Sequence, residues 1–305
     1  MSIPGIALSS LVGPTPADAA AGAFKNILVS TDFSEFSMNA VNWAAALAQT
    51  SGAQLFVCHV VTPTPLAIGA PEAAPYLYQA ENENVDRALK DMLASNRLRG
   101  LPVKSLMPSG LLADELSRAI TENNIDLVVA GTHGRTGVRR LLLGSAVEEI
   151  CRVATCPVLT VGPDVATTTN HEIKSILVPS DMSEESKRSL PHVLRLAKAN
   201  GATVTVLHVM PEDAATNPDA KMLAEPVRRS LMHAYEFIFA GSDVKPEFVI
   251  EFGDSVETIL TYARKNKVDL IALGIRNAFL PGFQLRSSVA YRVISGAHCP
   301  VLTCR

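Results

Sequence analysis

Residues 130–147 read AGTHGRTGVRRLLLGSAV and follow the apolar run IDLVV. Gly131, Gly134, Gly144 and Ser145 fall in the spacing Gly-x2-Gly-x9-Gly-Ser. Glycines let backbone amides come close to a phosphate and adopt positive φ. Gly144-Ser145 opens a helical pattern, and the first N–H groups of a helix attract anions. Ser145 adds a hydroxyl donor, and Arg135 places a guanidinium within reach of a phosphate. His133 is either a second such donor or a solvent-facing loop histidine, while Arg139 and Arg140 read as a solvated basic face. The competing reading is a plain surface turn leading into a basic helix. Asp32, in STD after the run NILV, offers a carboxylate to ribose hydroxyls or an adenine amino group, or caps a turn. Neither G-x4-G-K-[ST] nor G-x-G-x-x-G occurs, so the pattern is not a P-loop or a dinucleotide fingerprint. Ser34 and Ser37 read as helix caps, with no His–Asp pair arranged about them.

Elements that could hold these residues appear twice. KNILVSTDFSEFS (25–37) returns as KSILVPSDMSEES (174–186), and over 25–61 against 174–210, 15 of 37 positions are identical, which implies duplication. IDLVVAGTHG (125–134) returns as VDLIALGIRN (268–277), and ATCPVLTV (154–161) as AHCPVLTC (297–304). The shift drops from 149 to 143 residues, so the second copy lacks six residues between His208 and Gly253. Each copy alternates apolar strands with helices. In the first, NILVS leads to a helix through AVNWAAALAQ, then QLFVCHVV, a helix over about 77–98, VKSLMP, LADELSRAITENN, DLVVAG, SAVEEICRVA and PVLTV. Strands that are apolar throughout belong to a parallel sheet covered on both faces. The predicted fold is therefore α/β, two tandem doubly wound domains. In such a sheet ligands bind beyond the strand ends where strand order reverses, and if the first and fourth strands are neighbours there, Asp32 and Gly131 face one crevice. His59 and His208 fall on matching strand positions and read as structural, and Trp43 reads as core.

The chain has 305 residues, enough for two domains, and its 48% hydrophobic and 19% charged residues support real cores. A net charge of −3 argues against broad electrostatic capture of nucleic acid or anionic lipid. No apolar run approaches the roughly 20 residues of a membrane span. Residues 1–24 lack the basic start of a secretory signal and read as a flexible tail. The five cysteines, odd in number and in apolar runs, fit a reducing cytoplasm, and neither CRVATC nor CPVLTC finds a zinc-binding partner pair.

Both copies resemble the universal stress protein family, whose ATP-binding signature G-x2-G-x9-G-[ST] is matched by Gly131, Gly134, Gly144 and Ser145. The resemblance covers 25–162 and 173–305, leaving 163–172 as linker. It implies a five-stranded parallel sheet of order 3-2-1-4-5 with helices on both faces in each copy. It also implies ATP with Mg2+ in the first copy. There Asp32 would contact adenosine, and Val60 would meet adenine through its backbone. Gly131 and Gly134 would line ribose and phosphates, and Gly144, Ser145 and Ala146 would hold the phosphate tail. Ala130 and Arg135 complete this candidate set. No catalytic residue and no protein-held metal is expected.

The second copy departs from the signature. Gly274 keeps the first glycine, Asn277 replaces the second, and Ser287-Ser288 replaces Gly144-Ser145. A β-carbon at 287 would crowd the phosphate path, and Phe279 or Phe283 could fill the pocket. ATP is expected in the first copy alone. The expected role is a nucleotide-dependent stress or regulatory protein. A slow ATP hydrolase or nucleotidyl transferase, or a nucleotide-free scaffold, remains the alternative. Because PVLTV and PVLTC would each be an open edge strand, the copies are expected to pair through them, antiparallel, as a pseudo-dimer. Single-domain relatives commonly dimerise through that strand, and a further homodimer is compatible with it.

Overall fold

A computed structural model describes residues 23–62, 74–132, 143–167, 171–212, 220–275 and 288–305. The candidate residues Gly134, Arg135, His133, Arg139 and Arg140, and in the second copy Asn277, Phe279, Phe283 and Ser287, lie outside them. In the first half the elements are β1 (Asn26–Ser30), α1 (Glu35–Ser51), β2 (Gln54–Cys58), α2 (Ala74–Leu93), β3 (Val103–Leu106), α3 (Leu112–Glu122), β4 (Leu127–Gly131), α4 (Ser145–Val153) and β5 (Val158–Val161). The second half follows as β6 (Ser175–Pro179), α5 (Glu184–Lys187), α6 (Leu190–Asn200), β7 (Thr203–Met210), α7 (Ala220–Phe239), β8 (Glu247–Phe252), α8 (Ser255–Lys265), β9 (Leu270–Gly274), α9 (Val289–Gly296) and β10 (Val301–Cys304).

The described strands form one sheet of ten, ordered β3-β2-β1-β4-β5-β10-β9-β6-β7-β8. Each half has the 3-2-1-4-5 order with parallel neighbours, and the halves meet where β5 and β10 run antiparallel. Leu159 stands opposite Leu302 in that seam, and those two residues are themselves repeat partners, so a pseudo-twofold axis passes between them. The Thr160 and Thr303 hydroxyls donate across it to the carbonyls of Val301 and Val158, at 3.1 and 3.2 Å.

Strand side chains alternate between two cores. Ile27, Val29, Leu127 and Val129, with Ile176 and Val178, face a core shared with α1, α2, α6 and α7. Leu28, Val128, Ala130, Leu177 and Ile271 face the other, closed by α3, α4, α8 and α9. Burial on both faces is why the strands read as unbroken apolar runs.

Among the described residues the copies differ in their first helix. α1 is continuous for 17 residues, capped at Ser34, whose hydroxyl accepts from Ser37 N, and ended by Gly52 at φ 65°. Its counterpart breaks into α5 and α6 because Pro191 has no N–H to donate to the Lys187 carbonyl. α2 and α7 are both 20 residues long and 146 positions apart, so half of the missing six residues precede α7 and half follow it.

The described residues flanking the halves pack against them. Ala23 and Phe24 are buried, and the Phe24 ring stacks on His192 of α6 with centroids 6.2 Å apart. Asn39 donates to the Val165 carbonyl at 3.0 Å, and His171 meets Trp43 edge-on at 4.9 Å. Trp43 and His192 are repeat partners, so each half's first helix receives an aromatic contact from outside its own sheet.

Candidate functional site

The reversal of strand order in the first half falls between β1 and β4, and a crevice of about 190 Å³ opens beyond their carboxyl ends. Asp32, Val60, Ala130, Gly131, Gly144 and Ala146 all line it. Four chain segments thus converge on one space. Ser145 begins α4 beside it.

The floor is built from hydroxyls. Thr31 is buried, its N–H held by the Cys58 carbonyl at 2.9 Å and its hydroxyl 3.0 Å from that of Ser37. Asp32 Oδ1 accepts from Ser34 N at 3.0 Å and from the Ser34 hydroxyl at 2.6 Å, so the carboxylate also shapes the turn into α1. His59 donates from Nδ1 to the Thr31 carbonyl at 2.8 Å, which fixes its tautomer and ties β2 to β1. His208 makes the same 2.8 Å bond to Ser180 in the second half, in keeping with a structural role for both. The Cys58 thiol at the end of β2 is pushed up to about 12, by burial first and by the charge of Glu115 second.

The two described glycines serve different ends, and neither has positive φ, contrary to the expectation that the glycines supply it. At Gly131 an added β-carbon would stand 3.0 Å from the Phe36 carbonyl oxygen and 3.2 Å from Ser37 Cα. The first turn of α1 therefore lies directly on the end of β4. Gly144 has φ −63° and ψ 146° and is the N-cap of α4. Its N–H is held by the Thr132 carbonyl at 2.9 Å, closing the neck of the loop, and its own carbonyl accepts from Glu148 N at 3.0 Å. A glycine has no side chain to cap with, and none is hydrogen-bonded there. Ser145, Ala146 and Val147 thus present N–H groups with no intrahelical acceptor.

The second half repeats the crevice, at about 200 Å³, with Asp181, His208 and Gly274 in equivalent places. Burial opposes ionisation of Asp181, yet hydrogen bonds from Ser183 hold its carboxyl below the usual range. Two things differ. Tyr235 of α7 reaches into the floor, its hydroxyl 2.6 Å from Ser180 Oγ and 3.1 Å from Ser186 Oγ. Also, α9 starts one repeat position later than α4: Ser288 is its N-cap, and the Ser288 hydroxyl accepts from Tyr291 N at 3.1 Å. The helix end left open in the first half is closed by a side chain in the second. Sequence reasoning placed Ser288 in the position of Ser145 but gave it no capping role, and it missed Thr31, Thr132 and Tyr235.

A sheet wound in both directions from a central switch, with one crevice per half at that switch, defines a tandem doubly wound α/β protein. The universal stress protein family profile matches residues 23–162 and again 172–305. The chain belongs to the universal stress protein family, as a fused pair of its domains. A universal stress protein of Thermus aquaticus is 34% identical over 139 residues, 45% of this chain and 98% of that protein. One of Mycolicibacterium smegmatis is 25% identical over 294 residues, 92% of this chain and 96% of that protein. Among solved structures, a universal stress protein from Archaeoglobus fulgidus superposes with a TM-score of 0.72 over 92% of this chain and 98% of that one, at 20% identity, a likeness of fold.

Proposed function

We propose that the first half binds ATP with Mg2+ in the β1/β4 crevice, and that the chain acts as a nucleotide-dependent stress or regulatory protein. The observation that carries this is the contrast between the two helix ends. α4 begins at a glycine with no side-chain cap, whereas α9 begins at a serine that caps itself. An uncapped helix end beside a crevice suits an anionic ligand, whose negative charge replaces the missing cap. In this reading Asp32 and the backbone at Val60 hold the adenosine end. Ala130, Gly131, Gly134 and Arg135 line the ribose and phosphates, and Gly144, Ser145 and Ala146 hold the phosphate tail. Bound ATP supplies a polyanion whose presence or absence a partner can read.

The same reading divides the chain into an ATP-binding half at 25–162, a linker at 163–172 and a degenerate half at 173–305, with 1–24 as tail. It places the protein in a reducing cytoplasm. In support, all five cysteines are free, and all but the partly buried Cys156 are fully buried. No helix of the described residues is long and apolar enough to cross a membrane.

Calorimetric titration of the full chain with ATP and Mg2+ tests the assignment. One site per chain is expected, lost in Gly144→Val; because a β-carbon there would stand 3.1 Å from the Thr132 carbonyl oxygen, the melting temperature of the variant is measured alongside to show that it is folded. Two equivalent sites, or unaltered binding by Gly144→Val, would overturn it.

A further inference from the structure

The ATP-site helix of the first half is fastened by a residue of the second. Tyr291, in the first turn of α9, is buried, and its hydroxyl accepts the Leu143 N–H at 3.0 Å. The same hydroxyl donates to Glu148 Oε1 in α4 at 3.3 Å. Leu143 is itself buried and directly precedes Gly144. It is also the residue at which the chain returns from 133–142, and it has no place in the α4 hydrogen-bond ladder. One phenol thus ties down both the backbone that leads into the uncapped helix end and the side chain that projects from the helix's first turn. The contact crosses the pseudo-twofold axis but is not symmetric. Tyr291 and Glu148 are repeat partners, 143 positions apart, and the two halves have put a donor-acceptor phenol on one side and an acceptor carboxylate on the other.

We propose that Tyr291 is a positioning residue for the first half's nucleotide site, through which the second half sets the phosphate-binding end of α4. The inference rests on the ATP reading given above. Tyr291 touches no ligand in this account. It holds the Leu143–Ala146 backbone in the one arrangement in which Gly144 is pinned to Thr132 and the following N–H groups face the crevice. α9 also forms a wall of the second crevice through Val289 and Ala290, so whatever enters that crevice displaces or steadies the helix that carries Tyr291. This gives the degenerate half a regulatory task that needs no ATP of its own.

The test compares the full-length chain with Tyr291→Phe, which keeps the ring and removes the hydroxyl. Three quantities are measured: affinity for ATP with Mg2+, affinity for adenosine, and amide hydrogen exchange of residues 143–147. With Tyr291→Phe, ATP binding should weaken about tenfold, the scale of a lost buried hydrogen bond and the disorder it releases. Adenosine binding should stay within a factor of about two, because only the phosphate end is disturbed. Exchange at Leu143 should accelerate at least tenfold while the central strands β1 and β4 keep their protection. Equal loss of ATP and adenosine affinity would mark a general structural defect and overturn the inference, as would unchanged exchange at Leu143. If the unaltered chain binds no ATP, the proposed function fails, and exchange at Leu143 still decides whether Tyr291 fastens the loop.

Discussion

At Gly131 the missing side chain matters to the protein's own packing, since a β-carbon would stand 3.0 Å from the Phe36 carbonyl oxygen of α1. At Gly144 the missing side chain leaves a helix end without a cap. The sequence spacing put both glycines into one ligand-binding motif, and only geometry separates the two reasons. In the proposed site Ser145 would add a hydroxyl donor at the phosphate end. Ser145→Ala should weaken ATP binding by about 1–2 kcal/mol, the worth of a hydrogen bond to a charged group, while Gly131→Ala should act mainly on stability. Titrations and urea unfolding of the same two proteins separate these effects. His192 offers a different residue-scale test. Burial, and then the neighbouring Arg195, depress its pKa from 6.5 to about 4, and its Nδ1 accepts from Arg195 at 2.8 Å. In the unfolded chain it takes up a proton near pH 6.5, whereas the folded chain resists until about pH 4. Stability should therefore be fully present above about pH 6.5 and fall by on the order of 2 kcal/mol as pH drops toward 4. Urea midpoints at pH 7.5 and pH 4.5 should differ less in His192→Gln than in the unaltered chain.

Strand–helix alternation was readable from the sequence because the inner strands are buried on both faces, whereas the outermost strands β3 and β8 are only partly buried and read as mixed. The switch-point rule puts Asp32 and Gly131 in one crevice once the 3-2-1-4-5 order implied by the family resemblance is granted. What escaped was set by single atoms. Pro191 sits inside an otherwise helical pattern, where its missing N–H splits α5 from α6. Ser288 looks like Ser145 until the helix start is known to shift by one residue. The approach of helix to strand is also unequal between halves. A β-carbon at Gly274 would fall 1.7 Å from the Glu185 carbonyl oxygen, against 3.0 Å at Gly131 from Phe36. The shorter α5 is drawn closer to its strand than α1. Gly274→Ala should thus cost about 3 kcal/mol or more, and Gly131→Ala about 1 kcal/mol, on the scale of overpacked interiors. Equal costs in denaturant unfolding would contradict this account of the first repeat glycine.

The two halves share more than the β5–β10 seam. Phe24 reaches α6, His171 reaches α1, Tyr291 reaches α4, and an Arg305 guanidinium N–H donates to the Arg152 carbonyl at 2.7 Å. The apolar edge strands PVLTV and PVLTC already implied an antiparallel seam, but these flanking contacts carry no sequence signature, because each joins residues unremarkable in isolation. Residues 1–162 alone should self-associate through β5, as seen by sedimentation, and Val158→Lys with Leu159→Pro should leave that fragment monomeric.

The seam has a consequence for how the protein could change over generations. In a dimer of identical chains the same codon writes both sides of the axis. Any mutation that closes one crevice closes its twin, and a tyrosine facing a glutamate at one paired position cannot be encoded. Assembly would also dissolve on dilution. Fusing the halves makes the encounter intramolecular, so the sheet closes at any concentration. It also frees the two sides to differ, one starting its helix at the uncapped Gly144 while the other starts one residue later at the self-capping Ser288 and carries Tyr291.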